Sequence, residues 1–261
     1  MKAMVRAARR AGDIAKRHFL SDSLHVREKG LAGDVVSRAD LESEKEILSV
    51  LTREFPDASI VAEESGGSPR SGVVFYVDPV DGTLNYVHGL PFFAVSIGCW
   101  IDGEPAAGVV LNPLTRDLYT ASRGEGAWKN GARISVSKAA SVGEALVVGG
   151  WPYDRGYAGR LFPQMQRVYA RSQIIRVVGS ACLGFCLLAE GACDGYWEYA
   201  LKPWDWAAGA IIVMEAGGTV TTMSGAPLDP ESSDLAGSNG RFHDEWISVL
   251  NGGPGPVRER D

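Results

Sequence analysis

The chain has 261 residues, of which 45% are hydrophobic and 22% are charged, and both values are ordinary for a folded globular protein. Its formal net charge is −6, with 26 Lys and Arg against 32 Asp and Glu, which argues against binding nucleic acid or an anionic membrane through a global positive field. No apolar run is long enough to cross a bilayer, and the four cysteines match neither a zinc site nor a redox motif, so we expect a cytoplasmic protein with buried free thiols.

The first 54 residues are predicted to form two amphipathic helices joined by a loop. Small and apolar residues recur at helical spacing in residues 1–20 and again in residues 40–54, and Pro56 closes the second helix. Between the helices, two short runs favour β-strands on either side of a glycine-rich stretch. We expect this stretch to be a mobile loop beside a more rigid scaffold.

A buried strand is predicted to begin at Val73 and to end in a group of polar residues. Its β-branched and aromatic residues stop abruptly at the run Asp78-Pro79-Val80-Asp81-Gly82-Thr83. Such a strand brings two carboxylates and a hydroxyl to its C-terminal end. A preceding strand is predicted at residues 59–62, and further strands of an antiparallel sheet at residues 92–101, 107–111, 118–121 and 133–136.

From about residue 141 onward, strands and helices alternate. Strands are predicted at residues 146–148, 174–178, 194–198 and 219–222 and near Leu235, and helices at residues 157–169, 180–190, 204–216 and 243–250. This change of pattern divides the chain into an N-terminal half, residues 1–140, and a C-terminal half, residues 141–261. Because no long linker separates the halves, we expect them to pack together, with a disordered tail at residues 252–261.

Four acidic residues share one property, since each lies where a predicted strand meets a loop or a helix. They are Glu63, Asp78, Asp81 and Asp205. Strand and helix ends are where open α/β sheets hold their ligands, and carboxylates without histidine or cysteine suit Mg²⁺ rather than zinc. Gly82 would also let backbone amides approach an anion at a helix start. Each motif alone is a common turn or helix cap, so only their combination and order favours a metal site.

Three longer motifs resemble those of a known family. They are Val61-Ala62-Glu63-Glu64-Ser65, the run from Asp78 to Thr83 with its continuation Leu84-Asn85-Tyr86, and Trp204-Asp205 followed by Glu215-Ala216-Gly217-Gly218. In order and spacing the chain resembles the inositol monophosphatase family, from the first helix to about Leu250. The resemblance implies a mixed α/β fold, a layered α-β-α-β-α sandwich of the sugar-phosphatase type with two packed halves. It also implies a lithium-sensitive homodimer.

The same resemblance implies a site with two or three Mg²⁺ ions. Glu63, Asp78 and the backbone carbonyl of Val80 would hold one ion. Asp78, Asp81 and Asp205 would hold a second, and a weaker third ion would depend on Glu63. Two cations about 3.5–4 Å apart can stabilise both the attacking and the leaving oxygen in phosphate-ester hydrolysis, which is among the slowest uncatalysed reactions.

The resemblance also implies roles for catalytic and substrate-binding residues. Thr83 and Asp40 match the family's water-activating pair, with Glu63 as a further catalytic residue. A hydroxyl is a weak base at neutral pH, so we expect Thr83 to orient the water. Asp40 equally fits a plain helix N-cap, and the residues alone do not separate the two roles. Lys29 and Asp34 match a mobile loop near the site. The implied substrate-binding residues are Asp81, Gly82, Thr83, Gly179, Ala181, Glu198 and Asp205.

We therefore predict a Mg²⁺-dependent phosphomonoesterase that releases phosphate from inositol monophosphate or a similar small phosphorylated polyol or sugar. Fructose-1,6-bisphosphatase, histidinol phosphatase and bisphosphate nucleotidase activities occur in related proteins and stay open, although Leu84-Asn85 and Glu198 favour inositol. The second hypothesis belongs to another class, because some family members bind transcription machinery: a regulatory binding protein with vestigial catalysis. No nucleic acid or membrane partner is expected.

Overall fold

Two β-sheets and three layers of helices make up the fold, described for residues 1–253 of a computed structural model. The predicted tail lies outside the described residues from residue 254 onward. The helices are α1 (Lys2–His18), α2 (Arg38–Glu54), α3 (Thr83–Val87), α4 (Ala158–Arg171), α5 (Ala181–Ala189), α6 (Pro203–Glu215) and α7 (His243–Leu250). The strands are β1 (Arg27–Glu28), β2 (Val35–Val36), β3 (Ser59–Ala62), β4 (Val73–Asp81), β5 (Ala94–Ile101), β6 (Glu104–Leu111), β7 (Leu118–Ser122), β8 (Gly126–Lys129), β9 (Ala132–Ile134), β10 (Leu146–Gly149), β11 (Ile174–Val177), β12 (Gly195–Glu198), β13 (Thr219–Thr222) and β14 (Leu235–Ser238).

The larger sheet contains seven strands in the order β3-β4-β5-β6-β7-β8-β9. All neighbours are antiparallel except β3 and β4, so the predicted antiparallel sheet is confirmed. The prediction missed β8, which is only four residues long and begins with a glycine. A signal for it existed, because the Asn130-Gly131 turn is typical of a hairpin and implies a strand on each side.

Helices α1 and α2 lie together on the outer face of this sheet, where they contact β4, β5 and β6. The inward face of α1 consists of small residues, including Ala7, Ala8, Ala11 and Ala15, all with no exposed surface. Small side chains let a helix approach its neighbours closely, and α2 fills the remaining space with Ile47 and other branched residues. The amphipathic pattern of the sequence therefore corresponds to this buried face.

The other face of the large sheet is covered by α5 and α6, which separate it from the smaller sheet. The smaller sheet has the order β11-β10-β12-β14-β13, and β10 runs parallel to both of its neighbours. Helices α4 and α7 cover its outer face. The layers are thus helices, sheet, helices, sheet and helices, which confirms the predicted α-β-α-β-α sandwich. Because α5 and α6 contact strands of both sheets, a division near residue 140 stays an interpretation.

Helix α6 lies very close to the large sheet, and two paired glycines allow this. Gly98 of β5 faces Gly108 of β6. A Cβ atom at Gly98 would lie 2.8 Å from Cβ of Ala207, and one at Gly108 would lie 2.5 Å from the carbonyl oxygen of Ala208. Real Cβ atoms do not approach other atoms that closely, so any larger residue must push α6 away. These glycines therefore fix the position of the α6 N-terminus, which carries Asp205.

We expect Gly108→Ala to destabilise the protein by about 1–3 kcal/mol, because the added methyl meets backbone rather than a movable side chain. A loss of this size corresponds to a fall in Tm of roughly 2–4 °C per kcal/mol. Thermal unfolding followed by circular dichroism measures it. Gly159→Ala is the matched control, since no atom lies within 4 Å of its Cβ position, and an unchanged or higher Tm is expected there. Equal Tm values for both variants would contradict the close-packing argument.

Two expectations from composition can be compared with the structure directly. All four cysteines are free and buried, as predicted. Among residues 1–253, no helix combines the length and the apolar character needed to cross a membrane.

Candidate active site

An irregularity in β4 brings its two aspartates to one place. Asp78 pairs with Ser96 of β5, but Asp81 pairs with Ala94, so three steps along β4 match two steps along β5. Residues three apart on a regular strand point to opposite faces, and one extra residue restores them to the same side. Pro79 lies within this bulge, where its missing N–H costs no ladder bond. The bulge therefore explains how both carboxylates can serve one site.

Asp81 is held at the N-terminus of α5. Its carboxylate accepts hydrogen bonds from the backbone N–H groups of Ala181, at 3.1 Å, and Cys182, at 2.9 Å. It also accepts one from the hydroxyl of Ser180, the N-cap of α5. Burial raises the pKa of Asp81 to about 6, although these three donors oppose the rise. The amide of Ala181, predicted to face the substrate, is thus bonded to Asp81 in this structure.

The start of α3 is a glycine turn beside the same helix. Gly82, the N-cap of α3, has φ of 90°, a conformation that favours glycine. A Cβ atom there would lie 2.9 Å from the carbonyl oxygen of Gly179, so the two predicted glycines are in contact. Asn85 supports the contact, since its side-chain amide donates to the carbonyls of Phe92, Val178 and Gly179 at 2.8, 2.8 and 3.1 Å. Sequence analysis did not assign this structural role to Asn85.

Thr83 and Asp40 are hydrogen-bonded to each other. The Thr83 hydroxyl lies 3.0 Å from Oδ1 of Asp40 and also 3.0 Å from the carbonyl oxygen of Val80. Asp40 has no exposed surface, and its Oδ2 accepts from both the amide and the hydroxyl of Ser37. Burial raises the pKa of Asp40 to about 6, against these hydrogen bonds.

The alternative of Asp40 as an N-cap is wrong. Ser37 is the N-cap of α2, and Asp40 is the third helical residue of a capping box, so α2 begins two residues earlier than predicted. The capping interaction uses Oδ2 and leaves Oδ1 for Thr83. Asp40 therefore has both a structural and a site-facing contact.

Glu63 carries the ammonium group of Lys29. Nζ of Lys29 lies 2.7 Å from Oε1 of Glu63 and also contacts the carboxylate of Glu64. Partial burial alone would lower the pKa of Lys29, but the two glutamates outweigh it and raise the pKa. The backbone of Lys29 is bonded to Asp34, whose carbonyl accepts its amide at 2.8 Å. The predicted mobile loop is thus connected to the site, while Glu44 of α2 fixes the turn by accepting the amides of residues 64 and 65.

The electrostatics show how closely the four predicted carboxylates gather. The pKa of Asp78 is raised well above its usual value, first by burial and then by the charges of Glu63, Asp81 and Asp205. Burial and then Glu63 likewise raise the pKa of Asp205, whose Oδ2 accepts the amide of Lys202 at 2.6 Å. Like charges held together in a desolvated place are unfavourable unless a cation is bound.

A divalent cation fits this group. Within residues 1–253 no three Asp, Glu, His or Cys side chains are already arranged as a metal cluster. The donors are nevertheless carboxylate oxygens without imidazole or thiolate, the set that Mg²⁺ prefers. Their mutual elevation of pKa shows uncompensated negative charge, and the ammonium of Lys29 lies on one of them. The residues present therefore suit Mg²⁺.

Glu198 lies at the end of β12, on the smaller sheet. The Tyr196 hydroxyl donates a hydrogen bond to its carboxylate. Desolvation raises the pKa of Glu198 to about 7, with a contribution from the charge of Asp81. A Cβ atom at Gly150 would fall about 2 Å from both carboxylate oxygens, with separations of 2.0 and 2.1 Å, so only glycine leaves room. Sequence analysis missed Gly150, although a glycine directly after a parallel strand is a signal for close approach.

Tyr153 is the second residue that sequence analysis missed. A Cβ atom at Gly33, in the β1–β2 loop, would lie 3.6 Å from its ring. Desolvation raises the pKa of Tyr153, and so do the charges of Asp34, Asp81 and Glu63. Its position after β10, near the carboxyl end of a parallel strand, was the available signal. Tyr153 therefore stands between the β1–β2 loop and the carboxylates.

Comparison with known proteins identifies the family. The model of the inositol monophosphatase family matches residues 1–251. The chain belongs to the inositol monophosphatase family. It is 40% identical over 232 residues to the inositol-1-monophosphatase of Synechocystis sp., covering 88% of this chain and 81% of that protein. It is also 39% identical over 250 residues to the Nus factor SuhB of Haemophilus influenzae, covering 94% and 93%.

Solved structures of the family agree with the fold. The crystal structure of the extragenic suppressor protein suhB from Bartonella henselae has a TM-score of 0.92 to this chain at 37% identity. The match covers 97% of this chain and 99% of that one. The predicted family membership and the predicted fold are therefore confirmed.

Proposed function

We propose that this member of the inositol monophosphatase family is a Mg²⁺-dependent phosphomonoesterase that hydrolyses inositol monophosphate to inositol and phosphate. The observation that carries the proposal is the group of four crowded carboxylates, Glu63, Asp78, Asp81 and Asp205, beside the hydrogen-bonded pair of Thr83 and Asp40. A binding surface has no evident need for so much desolvated negative charge. A site for cations that act on a phosphate ester does.

In this proposal the oxygen ligands divide into two overlapping sets. Glu63, Asp78 and the carbonyl of Val80 would hold one Mg²⁺. Asp78, Asp81 and Asp205 would hold the second, and Glu63 would contribute to a weaker third ion. When bound, the cations neutralise the phosphate and lower the pKa of water in the site.

The pair of Thr83 and Asp40 would orient the attacking water. A hydroxyl has one proton, and when Thr83 donates it to Asp40, the Thr83 oxygen keeps its lone pairs free to accept from water. With a pKa of about 6, Asp40 is mainly ionised at pH 7 and can accept that proton. The carboxylate of Asp40 is itself held in place by Ser37. The proton of the water would then move through Oγ1 of Thr83 to Oδ1 of Asp40.

Substrate binding in the proposal uses both halves of the chain. The amides of Gly82 and Thr83 at the start of α3 would contact the phosphate, with Asp81 and Asp205 beside it. The Gly179–Ala181 turn and Glu198 would contact the polyol, where the carboxylate of Glu198 accepts hydrogen bonds from hydroxyl groups. Lys29 and Asp34 would belong to the loop that closes over the site.

The Glu198 carboxyl predicts a pH dependence of substrate affinity. Its pKa of about 7 means that it is mainly protonated at pH 6 and mainly ionised at pH 8. The ionised form accepts more hydrogen bonds, so KM for inositol 1-phosphate should fall as pH rises, by up to about tenfold between pH 6 and 8. Glu198→Gln does not titrate and should remove this part of the profile. The variant also corrects for titration of the substrate phosphate, and identical profiles for both proteins would contradict the role of Glu198.

The experiment that tests the function is phosphate release from a panel of esters with and without Mg²⁺. The panel contains inositol 1-phosphate, fructose 1,6-bisphosphate, histidinol phosphate and a nucleoside bisphosphate. We expect the highest kcat/KM for inositol 1-phosphate and no release in EDTA. Asp81→Asn should lose the activity, whereas Asp13→Asn, an exposed aspartate of α1, should keep it. Full activity of Asp81→Asn would contradict the ligand assignment.

A regulatory role is the second candidate, because relatives of this chain include a Nus factor. Co-purification with a large complex together with negligible turnover on the whole panel would favour a binding protein with vestigial catalysis. The homodimer, the lithium sensitivity and the cytoplasmic location are further parts of the proposal. Sedimentation and inhibition of phosphate release by LiCl test the first two.

A further inference from the structure

A cavity of about 510 Å³ lies beside the candidate active site. Its volume falls in the range of pockets that bind small molecules. Its walls are largely apolar and aromatic, formed by Leu84, Trp151, Pro152, Tyr153, Leu161 and Phe162. None of these residues belongs to the ligand and substrate set assigned above. The cavity is therefore a feature that the proposed function does not use.

The cavity is continuous with the site through two residues. Leu84 directly follows Thr83 in α3, so one wall begins next to the proposed phosphate cradle. Tyr153 lines the cavity and is close enough to Asp81 and Glu63 for their charges to raise its pKa. A molecule with its phosphate at the carboxylates would thus have this cavity next to the rest of its structure.

Two large aromatic side chains in the cavity are unusually exposed. Trp151 is 44% exposed and Phe162 is 55% exposed, and no other part of residues 1–253 covers them. Their rings pack against each other with centroids 5.5 Å apart and planes at 65°. Exposed aromatic pairs next to a site commonly bind a ligand, because burying them removes apolar surface from water.

The polar groups of the cavity suit a polyol poorly. Asp154 uses its Oδ1 to accept the amide of Gly156 within its own turn, at 2.8 Å. Arg155 is the other charged residue of the lining. Hydroxyl groups placed against Trp151, Pro152 and Phe162 would lose hydrogen bonds to water without replacement, whereas an aromatic ring would gain contact area.

We propose that this cavity binds the apolar, preferably aromatic, alcohol portion of a second class of phosphate monoester while the phosphate occupies the active site. Trp151 and Phe162 are then specificity-determining residues for these esters and have no part in the hydrolysis of inositol phosphates. The proposal rests on the proposed phosphatase function and extends its substrate range.

The test compares two alkyl esters that share the same leaving-group chemistry, 2-phenylethyl phosphate and ethyl phosphate, in the full chain with Mg²⁺. Because they differ mainly by the ring, the ratio of their kcat/KM values reports ring binding. We expect the wild type to favour the phenylethyl ester by about tenfold or more, mainly through KM. Trp151→Ala and Phe162→Ala should each reduce this preference by about fivefold and leave kcat/KM for inositol 1-phosphate unchanged.

Trp128→Ala is the matched control, because Trp128 is also partly exposed but lies on β8 of the large sheet. It should leave the preference intact. Hydrolysis of inositol 1-phosphate with equal kcat/KM for the two alkyl esters would overturn the inference and leave the proposed function standing. If no ester were hydrolysed, the proposed function would fail. Calorimetric titration with the two esters would then decide the inference, and equal affinities would overturn it.

Discussion

Asp78→Asn is expected to reduce kcat/KM by more than about 100-fold and at the same time to make the metal-free protein more stable. Residues that only orient metal ligands typically cost 10–100-fold, so a ligand shared by two ions should cost more. The gain in stability has a separate cause. Without a cation, the fold must either bury the charge of Asp78 beside Glu63 and Asp81 or protonate it, and an amide avoids both costs.

The asparagine variant should fold with little rearrangement. Asp78 accepts the amide of Val80 at 3.0 Å through Oδ1, and an asparagine side chain keeps that acceptor. Its new NH₂ group can donate to a neighbouring carboxylate. We expect a rise of about 1 kcal/mol in the free energy of unfolding in EDTA, or roughly 2–4 °C in Tm. In excess Mg²⁺ the order should reverse, since the wild type gains stability from bound ions.

Asp194→Asn is the matched control for this experiment. Asp194 also accepts a backbone amide, that of Leu146 at 2.7 Å, but on the smaller sheet. It should show neither the loss of phosphate release nor the gain of Tm in EDTA. A lower Tm for Asp78→Asn in EDTA would mean that the carboxylates are not in conflict, and it would remove the electrostatic argument for a cation site.

The fold could be predicted from the sequence largely because its patterns are local. The alanine face of α1, the β-branched run of β4 and the glycine turn after Lys129 each report on contacts of one element. Pairing between distant elements was less visible. The apposition of Gly98 and Gly108 against α6 depends on the register of β5 with β6, which periodicity alone does not specify.

The site was predictable in part for the same reason. Asp78, Asp81 and Thr83 lie on one short run, and motif resemblance added Glu63 and Asp205. The link between Lys29 and Glu63 depends on how a loop folds back over the sheet. The position of Tyr153 depends on the packing of the small sheet beside that loop. Neither contact has a signature in the residues that flank it, so both required the three-dimensional structure.

Thr83→Ala is expected to lower kcat by about 100-fold or more with little change in KM, because a positioned proton-transfer group contributes 10²–10⁴-fold. Thr83→Ser, which keeps the hydroxyl, should retain most of the activity. Asp40→Asn should be as damaging as Thr83→Ala. Ser37 donates two hydrogen bonds to Oδ2 of Asp40, so the amide oxygen of asparagine should face Ser37 and its NH₂ group should face Thr83. The polarity of the contact with Thr83 would then be reversed.

The double variant tests whether the two residues act as one unit. Groups that act together in one proton path give non-additive losses. We therefore expect the double variant, Thr83→Ala with Asp40→Asn, to be no slower than the slower single variant, as measured by single-turnover phosphate release with saturating Mg²⁺. Far-ultraviolet circular dichroism checks the fold, since Asp40 also caps α2. Losses that multiply would mean that Asp40 serves only the helix and that Thr83 orients water without it. In that case the hydrogen bond of 3.0 Å between them would be structural, and the proton of the water would require another acceptor.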